Sequence, residues 1–395
     1  MTRAGRVLTL ALSLVALGTP LPAQDTSNAP IVIAGKFDAA TDLLLIPVRF
    51  GGAPVWCAVD TGFSALLVID RQKAAALGIP IQPPLPLPDG TPPKTTDGSA
   101  TTEVEVGSVA LGRLNVIIRD LPDEAPDMEC VFGTARLRQF VIEMDHQEPR
   151  VRLIPHHVFT PAPDSIEIPL VFRTNPNVAF VRVMFRFADG TEQPAQLLAD
   201  TGAASYAALV VDPVASRIRP LLGPTAQVTQ TPKGPSGPLK ISAARPVALV
   251  VGPITVEQPV IALLESDFGS GGFDDGLLGG GFFRRFTVAF DYQGRRMLLR
   301  PNARVADPHL FDASGAGLRH EAGSFVVERV LPDTAADRAG LRVGDTIVTV
   351  DGRPADSFTP VALHHNLSKP GETRTLGVRR GDKLMSIAIV LMKRL

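Results

Sequence analysis

The sequence predicts a mainly β chain with two copies of one domain, followed by a smaller C-terminal α+β domain. Two observations predict the repeat: Asp-Thr-Gly occurs at residues 60–62 and again at 200–202, and each copy follows an apolar run. The third observation is composition. In 395 residues, 36 Pro and 35 Gly favour short strands and many turns over long helices.

The repeat extends well beyond these tripeptides. An apolar pair ending in glycine follows each one, with Gly133 lying 73 residues after Asp60 (133 minus 60) and Gly279 lying 79 after Asp200 (279 minus 200). At a constant offset of 146 (279 minus 133), residues 140–145 correspond to 286–291, and residues 151–155 correspond to 297–301. A repeat of this length indicates two domain copies rather than a solenoid.

At these residues the chain resembles the aspartic peptidases, both the single-lobe retropepsin type and the two-lobe pepsin type. In this family each lobe supplies one Asp-Thr/Ser-Gly turn, and a later apolar-apolar-Gly strand threads beside it. The resemblance covers roughly residues 40 to 301. It implies a two-lobed, acid-protease-like pair of β-barrels with Asp60 and Asp200 as the catalytic residues. The residues that it implies as support for this pair are Thr61, Gly62, Thr201, Gly202, Gly133 and Gly279.

The resemblance implies an aspartic endopeptidase that acts on proteins or peptides and needs no metal or other cofactor. Two carboxyl groups a few Å apart cannot both ionise, so they share one proton. The ionised group can take a proton from water while the protonated group hydrogen-bonds the scissile carbonyl. Two alternatives stay open: a protease-derived binding or scaffold protein that no longer cuts, and a protein that cuts only itself or one partner.

The first segment, residues 1–23, is typical of a secretory signal peptide. Arg3 and Arg6 supply the positively charged start, and residues 7–18 form the short apolar segment. Leu21-Pro22-Ala23 then resembles a cleavage site with small residues. The apolar segment is shorter than the ~20 residues that span a bilayer, and no later stretch is long and apolar enough. We therefore expect an exported protein, periplasmic or secreted, with no integral membrane segment after removal of the signal.

The first lobe is predicted over residues 38–160. Residues 43–48 and 55–59 are typical of two strands joined by a Gly51-Gly52 hairpin, and residues 65–78 predict a short helix closed by glycine. Residues 80–99, rich in Pro, Gly and polar residues, lie where the family carries its flap, and their composition is compatible with a mobile cover or with an ordinary surface loop. They lack the tyrosine that pepsins carry there.

The chain has two cysteines, Cys57 and Cys130, each three residues before a motif residue. The resemblance places their strands side by side, and export would permit a disulfide. A disulfide and a pair of buried thiols are both compatible with the sequence.

The second lobe is predicted over residues 165–302, with a strand over 180–187 and a second flap-like region over 229–238. Pepsins place a hydroxyl residue three positions after each catalytic Asp, whereas this chain has Phe63 and Ala203. Without these donors, we expect the pKa values of the pair to lie above the ~1.5 and ~4.7 of pepsin, and activity to extend toward mildly acidic or near-neutral pH.

Residues 305–395 break the repeat and are similar to a PDZ domain. Residues 339–347 read Ala-Gly-Leu-Arg-Val-Gly-Asp-Thr-Ile, which matches the bacterial pattern Ala-Gly-Leu-x-x-Gly-Asp-x-Ile. The resemblance implies a site for the C-terminal carboxylate of a peptide, which would add as a strand to the sheet edge. The residues implied are Gly315, Ala316, Gly317 and Leu318 in the loop, with Pro360 and Leu363 on an apolar helix wall. A PDZ domain used only for packing or dimerisation is the open alternative.

Other chemistry has no support in the sequence. A formal net charge of -1 argues against nucleic-acid partners, which call for a basic stripe. The chain has no zinc-ligand spacing, no phosphate-loop ending and no Gly-x-Ser-x-Gly elbow. Because both Asp residues belong to one chain, a monomer would suffice to assemble the pair, and a homodimer stays possible for other reasons.

Overall fold

The structure is a computed structural model. It describes residues 29–84, 97–121, 125–203, 206–223, 227–230, 233–234, 237–238, 240–265 and 275–395. The expected signal peptide, residues 1–23, lies outside the described residues. The chain divides into two compact units, the larger built from residues up to 38, 42–222 and 229–307, and the smaller from 39–41, 223–228 and 308–395.

The first half of the larger unit consists of short strands and two short helices. Its elements are β1 (Ile31–Ala34), β2 (Lys36–Phe37), β3 (Leu44–Phe50), β4 (Ala53–Val59), β5 (Leu67–Asp70), α1 (Arg71–Ala76), β6 (Gly98–Val106), β7 (Val109–Arg119), β8 (Cys130–Phe132), α2 (Thr134–Leu137), β9 (Phe140–Asp145) and β10 (Arg150–Pro155). A seven-stranded sheet in the order β2-β3-β4-β8-β5-β7-β6 forms what we call the first lobe.

Local sequence explains these elements. Gly51 and Gly52 both have positive φ, which lets the chain turn tightly between β3 and β4. The helix predicted over 65–78 is only partly correct, because Leu67–Asp70 form β5 and only Arg71–Ala76 are helical. The apolar residues of β5 are buried between β7 and β8, so tertiary pairing overrides the local helix preference. The Asp70 carboxylate caps α1 by accepting from the Gln72 and Lys73 N–H groups.

The second half of the larger unit repeats this pattern. Its elements are β11 (Ile166–Pro169), β12 (Phe180–Arg186), β13 (Glu192–Ala199), β14 (Ala208–Val211), α3 (Val214–Ile218), β15 (Gln227–Gln230), β16 (Lys233–Gly234), β17 (Gly237–Pro238), β18 (Lys240–Ala244), β19 (Ala248–Val251), β20 (Ile254–Glu257), β21 (Ile261–Glu265), β22 (Gly276–Leu278), α4 (Gly280–Phe283), β23 (Phe286–Asp291) and β24 (Arg296–Pro301). A nine-stranded sheet in the order β15-β18-β21-β14-β22-β13-β12-β19-β20 forms the second lobe.

The internal repeat is visible as equivalent topology. The first lobe contains the neighbours β4-β8-β5-β7, and the second contains β13-β22-β14-β21. In both lobes the strand before the Asp pairs in parallel with the strand before the later glycine. The bounds of β8, α2, β9 and β10 recur exactly 146 residues later in β22, α4, β23 and β24.

A six-stranded sheet joins the two copies, in the order β1-β10-β9-β23-β24-β11. Its central strands β9 and β23 are equivalent members of the repeat and pair antiparallel, with Ile142 opposite Phe290 and Met144 opposite Val288. All four of these side chains are at most 1% exposed. This shared sheet therefore fixes the two lobes to each other through a buried apolar layer.

The smaller unit is an α+β domain. Its elements are β25 (Ala316–Glu321), β26 (Ser324–Val330), α5 (Ala335–Arg338), β27 (Thr346–Val350), β28 (Arg353–Pro354), α6 (Pro360–Asn366), β29 (Thr373–Arg380) and β30 (Lys383–Val390). Five strands follow the order β25-β26-β27-β29-β30, and β28 pairs with β27. Phe325, Val327, Leu341, Ile347 and Val378 lie in its core.

The predicted fold class is confirmed, since 47% of the described residues are in strands and 12% in helices. In the part of the chain that the structure describes, no helix combines the length and the apolar character needed to cross a bilayer.

Candidate active site

The two Asp-Thr-Gly turns lie side by side, one from each lobe. Strands β4 and β13 each end at the residue before an Asp. The Asp60 N–H donates to the Phe132 carbonyl over 3.0 Å, and the Asp200 N–H donates to the Leu278 carbonyl over 2.9 Å. These equivalent bonds fix each Asp to the strand that runs beside it.

The threonines of the two turns hold the lobes together. Thr61 Oγ1 donates to the Ala199 carbonyl over 2.8 Å, and Thr201 Oγ1 donates to the Val59 carbonyl over 2.7 Å. Each hydroxyl oxygen also accepts from the backbone N–H of the other threonine, over 3.2 Å to Thr201 Oγ1 and 3.1 Å to Thr61 Oγ1. Because both threonines are buried, loss of either hydroxyl would leave polar groups unpaired on both sides.

The carboxyl groups of Asp60 and Asp200 are buried, with 6% and 9% of each residue exposed. Each Oδ1 accepts from the backbone N–H groups two and three residues further along the chain. The distances are 2.8 and 3.0 Å at Asp60, and 2.8 and 3.1 Å at Asp200. Backbone groups therefore supply donors at positions 63 and 203, where the side chains have no hydroxyl.

Both carboxyl groups have a pKa above the ordinary value for Asp, and burial is the largest cause at each. The hydrogen bond between the two side chains lowers the pKa of Asp60. The charge of Asp60 and the same hydrogen bond raise the pKa of Asp200, which lies well above its usual range. Both shifts favour a protonated form, so the two groups share a proton and titrate as a unit.

Glycine is required where each turn meets the opposite carboxyl group. A Cβ atom at Gly62 would lie 2.5 Å from Asp200 Cγ, and one at Gly202 would lie 2.5 Å from Asp60 Cγ. Real Cβ atoms do not approach other atoms this closely, so any other residue would displace the carboxyl group. The absence of a side chain lets the two halves of the site meet.

The later glycines of the repeat, Gly133 and Gly279, have an equivalent steric role. A Cβ at Gly133 would lie 2.5 Å from the Phe63 carbonyl oxygen, and one at Gly279 would lie 2.8 Å from the Ala203 carbonyl oxygen. These glycines let the threading strands pass directly against the Asp-bearing turns. They support the site through packing and do not face the carboxyl groups.

Cys57 and Cys130 form a disulfide, with their Cα atoms 4.3 Å apart. They are opposing residues in the parallel pair of β4 and β8, and both are fully buried. Of the two states that the sequence left open, the structure has the bonded one. The bridge connects residues 73 apart and ties the strand before Asp60 to the strand before Gly133.

The two regions in the flap position both begin as antiparallel pairs. In the first lobe, Gln82 pairs with Ser99 through two backbone hydrogen bonds of 2.8 and 2.9 Å. Residues 85–96 between them lie outside the described residues. In the second lobe, β16 pairs with β17. Each of these regions therefore contains an antiparallel pairing among its described residues.

Sequence reasoning missed Tyr292, which follows β23. The residue is 6% exposed, and its hydroxyl has no hydrogen-bond partner among the described residues. Its ring packs against Phe172, with centroids 5.8 Å apart. Burial and then the charge of Asp60 raise its pKa far above the usual range, so its hydroxyl stays protonated. The sequence did not single out Tyr292, because the equivalent position in the first copy of the repeat holds a histidine and not a second tyrosine.

That histidine, His146, is buried at the equivalent position in the first copy. Its Nδ1 lies 3.2 Å from the Phe286 carbonyl oxygen. Burial lowers the pKa of His146 from 6.5 to about 4, so the ring is neutral at pH 7. A neutral ring with a proton on Nδ1 can donate to this carbonyl.

The predicted carboxylate-binding loop of the smaller unit is partly occupied by its own side chains. Gly315 has a φ of 79°, and its N–H donates to Asp312 Oδ2 over 2.7 Å. The Ala316 N–H donates to Ser314 Oγ over 3.1 Å. Asp312 and Ser314 therefore already accept from two backbone N–H groups of this loop.

The other predicted peptide-site residues have different surroundings. Gly317 and Leu318 lie on β25, an edge strand of the sheet in the described structure. Pro360 is half-buried at the start of α6, whereas Leu363 is 1% exposed and belongs to the core. Leu363 therefore anchors the helix and does not present a side chain to a peptide.

No cluster of three or more His, Cys, Asp or Glu residues able to hold a metal ion occurs in the described residues.

Family models match two separate segments. The aspartyl protease model matches residues 46–135, which include the Asp60 turn and Gly133. The PDZ domain model matches residues 314–391, which include β25 through β30. Together they cover one half of the repeat and the smaller unit.

Two curated relatives match over about one domain length. Serine protease HTRA1 of Xenopus tropicalis is 37% identical over 68 residues, which are 17% of this chain and 14% of that protein. The periplasmic pH-dependent serine endoprotease DegQ of Escherichia coli strain K12 is 32% identical over 79 residues, which are 20% of this chain and 17% of that protein. This chain spans less than a fifth of either relative's length.

Among solved structures, the aspartic proteinase from Irpex lacteus matches 71% of this chain and 100% of its own, at 13% identity and a TM-score of 0.42. The family assignment rests on the matched segments, not on this similarity. The chain therefore carries an aspartyl protease domain, matched at residues 46–135, and a C-terminal PDZ domain.

Proposed function

We propose that this chain is an exported aspartic endopeptidase that hydrolyses peptide bonds with a water activated between Asp60 and Asp200. The observation that carries the proposal is the buried carboxyl pair, which shares a hydrogen bond and is held from both lobes. If the two turns had only a structural role, nothing would require their carboxyl groups to lie together. Placing two carboxyl groups side by side costs free energy when both ionise.

One carboxyl group starts ionised and the other protonated, and we write the turnover with the proton on Asp200. Asp60 takes a proton from water as the water oxygen attacks the peptide carbonyl carbon, while Asp200 gives its proton to the carbonyl oxygen. The tetrahedral diol then collapses: Asp60 passes its proton to the leaving nitrogen, and one diol hydroxyl returns a proton to Asp200. The C–N bond breaks, both carboxyl groups regain their starting states, and no acyl-enzyme forms.

The PDZ domain is proposed to recruit or order protein substrates by binding their C-terminal peptides along β25. Its carboxylate-binding loop would have to release Asp312 from Gly315 before a peptide carboxylate could take that N–H. Binding should therefore strengthen when Asp312 is replaced by alanine. Peptide affinity is measured by fluorescence anisotropy in an Asp60→Asn background, which prevents cleavage. Unchanged affinity would argue against this loop as the site.

Three features support the proposed export. Residues 1–23 have the pattern of a signal peptide, the Cys57–Cys130 disulfide is typical of a protein in an oxidising compartment, and the relative DegQ is named as periplasmic. Terminal sequencing of protein recovered from the periplasm tests this directly. A mature chain that begins just after Ala23 is the expected result.

Because both Asp residues are in one chain, we propose a monomer as the active species.

The proposed activity can be tested with a transition-state analogue, a peptide in which a hydroxyl-bearing tetrahedral carbon replaces the scissile carbonyl. Such a hydroxyl should lie between the two carboxyl groups and bind tightly only when they share one proton. We expect inhibition of the wild type and loss of analogue binding in Asp200→Asn. The matched control is Asp164→Asn, an exposed aspartate in the same unit.

The outcome also separates catalysis from simple binding. A serine-directed fluorophosphonate should neither label nor inhibit the chain, because the proposed mechanism forms no covalent intermediate. A wild type that binds C-terminal peptides but neither cleaves protein nor binds the analogue would instead be the binding protein that the sequence left open.

A further inference from the structure

We propose that the larger unit carries a second binding site, for a small polyanion, in a cavity of about 520 Å³ beside the shared sheet. Residues from both halves of the repeat line this cavity. The basic side chains among them are Arg136, Arg138, Arg173 and Arg295. None of these residues belongs to the carboxyl pair or to the turns that hold it.

The cavity lining offers no carboxylate to its arginines. No Asp or Glu is among the described residues that line it. In the part of the chain that the structure describes, Arg136, Arg138 and Arg295 form no ion pair with a carboxylate. Four like charges around one concave surface repel one another, and a bound anion would turn this repulsion into attraction.

Two of the arginines are held in position by aromatic rings. The Arg295 guanidinium lies 5.0 Å from the centroid of the Phe172 ring, and that of Arg173 lies 4.6 Å from the centroid of the Phe180 ring. Arg173 also donates to Gln196 Oε1 over 3.2 Å. Such contacts orient planar guanidinium groups, which suit the paired oxygens of a phosphate or carboxylate.

Tyr292 provides a second, independent indication of a ligand. It lines the cavity, is 6% exposed, and has a buried hydroxyl without a partner among the described residues. A buried donor of this kind normally has an acceptor. An anion oxygen in the cavity would supply one. The aromatic rings of Phe172 and Tyr292 would at the same time pack against the carbon skeleton of an organic anion.

The ligand is therefore a compact anion with several oxygens, carried by phosphate or by clustered carboxylates. The cavity volume is within the ~300–1,000 Å³ typical of small-molecule sites. The site does not depend on the proposed peptidase activity, because its residues bind an anion whether or not the carboxyl pair cuts peptides.

Isothermal titration calorimetry on the full mature chain at low salt tests the site, with inorganic phosphate and citrate as the two anionic probes and glycerol as the neutral one. We expect one or both anions to bind with a Kd below about 1 mM, and glycerol not to bind. The stronger anion identifies the chemistry that the cavity prefers. Affinity should fall as ionic strength rises, because the charges are partly exposed.

The variants identify the cavity as the binding site. Arg136→Gln combined with Arg138→Gln should weaken binding about tenfold or more, and Tyr292→Phe, which keeps the ring, should weaken it several-fold. The matched control is Arg182→Gln, an exposed arginine on β12 that does not line the cavity, and it should bind as the wild type does. Arg138→Gln alone removes an exposed side chain and serves if the double variant fails to fold.

Failure of both anions to bind the wild type at about 10 mM would overturn the proposal. Equal affinity in the wild type and in Arg138→Gln, with glycerol silent, would also overturn it, because the anion would then bind elsewhere. Cleavage activity is not read in this experiment, so its result stands apart from the outcome for the carboxyl pair.

Discussion

Gly62 of the first lobe lies directly against the carboxyl group of Asp200 in the second, at a distance that leaves no room for a methyl group. Gly202 has the same relationship to Asp60. Each turn thus forms one wall of the other turn's carboxylate site. The position of either carboxyl group depends on the backbone of the opposite lobe, which makes the pair sensitive to small changes that touch neither Asp.

Gly62→Ala should therefore disable the site without unfolding the chain. A Cβ at this position would push the Asp200 carboxyl group away, and a displacement of ~1 Å in a catalytic group can cost about 100-fold in rate. We expect kcat/KM for peptide cleavage to fall by about that factor. The control is Gly223→Ala, because a Cβ there would meet no atom within 4 Å. Wild-type kcat/KM in Gly62→Ala would contradict the steric argument.

Thr61→Val should weaken the connection between the lobes. Valine has the shape of threonine but cannot donate to the Ala199 carbonyl or accept from the Thr201 N–H. Leaving these buried groups unpaired should lower the free energy of unfolding by about 2 kcal/mol. Urea denaturation measures the change. Thr61→Ser keeps the hydroxyl and should recover most of the lost stability, so equal stability of the two variants would rule out the hydrogen bonds as the cause.

Asp200→Asn should change how stability depends on pH. Both carboxyl groups have raised pKa values in the folded state, so between the ordinary Asp value and those values the folded protein binds more protons than the unfolded chain. Their stabilising contribution is complete below the ordinary value and is lost as pH rises through the folded values. The loss is about 1.4 kcal/mol for each unit of difference.

Chemical denaturation at several pH values between about 4 and 8 measures this effect. Asp200→Asn leaves one ionisable group and no mutual repulsion, so its stability should decline less steeply with rising pH than that of the wild type. Asp164→Asn, at an exposed position, should follow the wild type. Parallel curves for the wild type and Asp200→Asn would mean that the pair is not strained at neutral pH.

His146 should produce the opposite trend. Its pKa is lowered from 6.5 to about 4, so its contribution to stability is present above pH 6.5 and is lost as pH falls toward 4. A difference of 2.5 units (6.5 minus 4) corresponds to about 3 kcal/mol. His146→Gln, which can still donate to the Phe286 carbonyl, should remove this acid-induced loss. His157→Gln, at an exposed histidine, should retain it.

The repeat and the two Asp residues could be predicted because short sequence motifs mark both of them. The Asp-Thr-Gly turns and the later glycines occur twice with a fixed spacing, and the structure keeps that spacing to the residue. Residues 65–78 were harder, because the apolar start of this segment is compatible with either a helix or a strand. Pairing with β8, which is more than 50 residues further along the chain, decides in favour of a strand.

The parts that sequence could not predict depend on contacts between distant segments. Tyr292 and Arg138 line one cavity only because the shared sheet brings the two halves of the repeat together. At the PDZ loop, the resemblance indicated a site for a peptide carboxylate. Only the side-chain conformation of Asp312 shows that the Gly315 N–H is already taken.

The decisive experiment for the carboxyl pair is cleavage of an unfolded protein mixture at about pH 3 to 8. It compares the wild type with Asp60→Asn, Asp200→Asn and Asp164→Asn. We expect cleavage by the wild type and by Asp164→Asn, with activity that extends into the mildly acidic range. We expect no cleavage by Asp60→Asn or Asp200→Asn. Cleavage that persists in either Asp60→Asn or Asp200→Asn, or a wild type inactive at every pH, would contradict the proposed carboxyl pair.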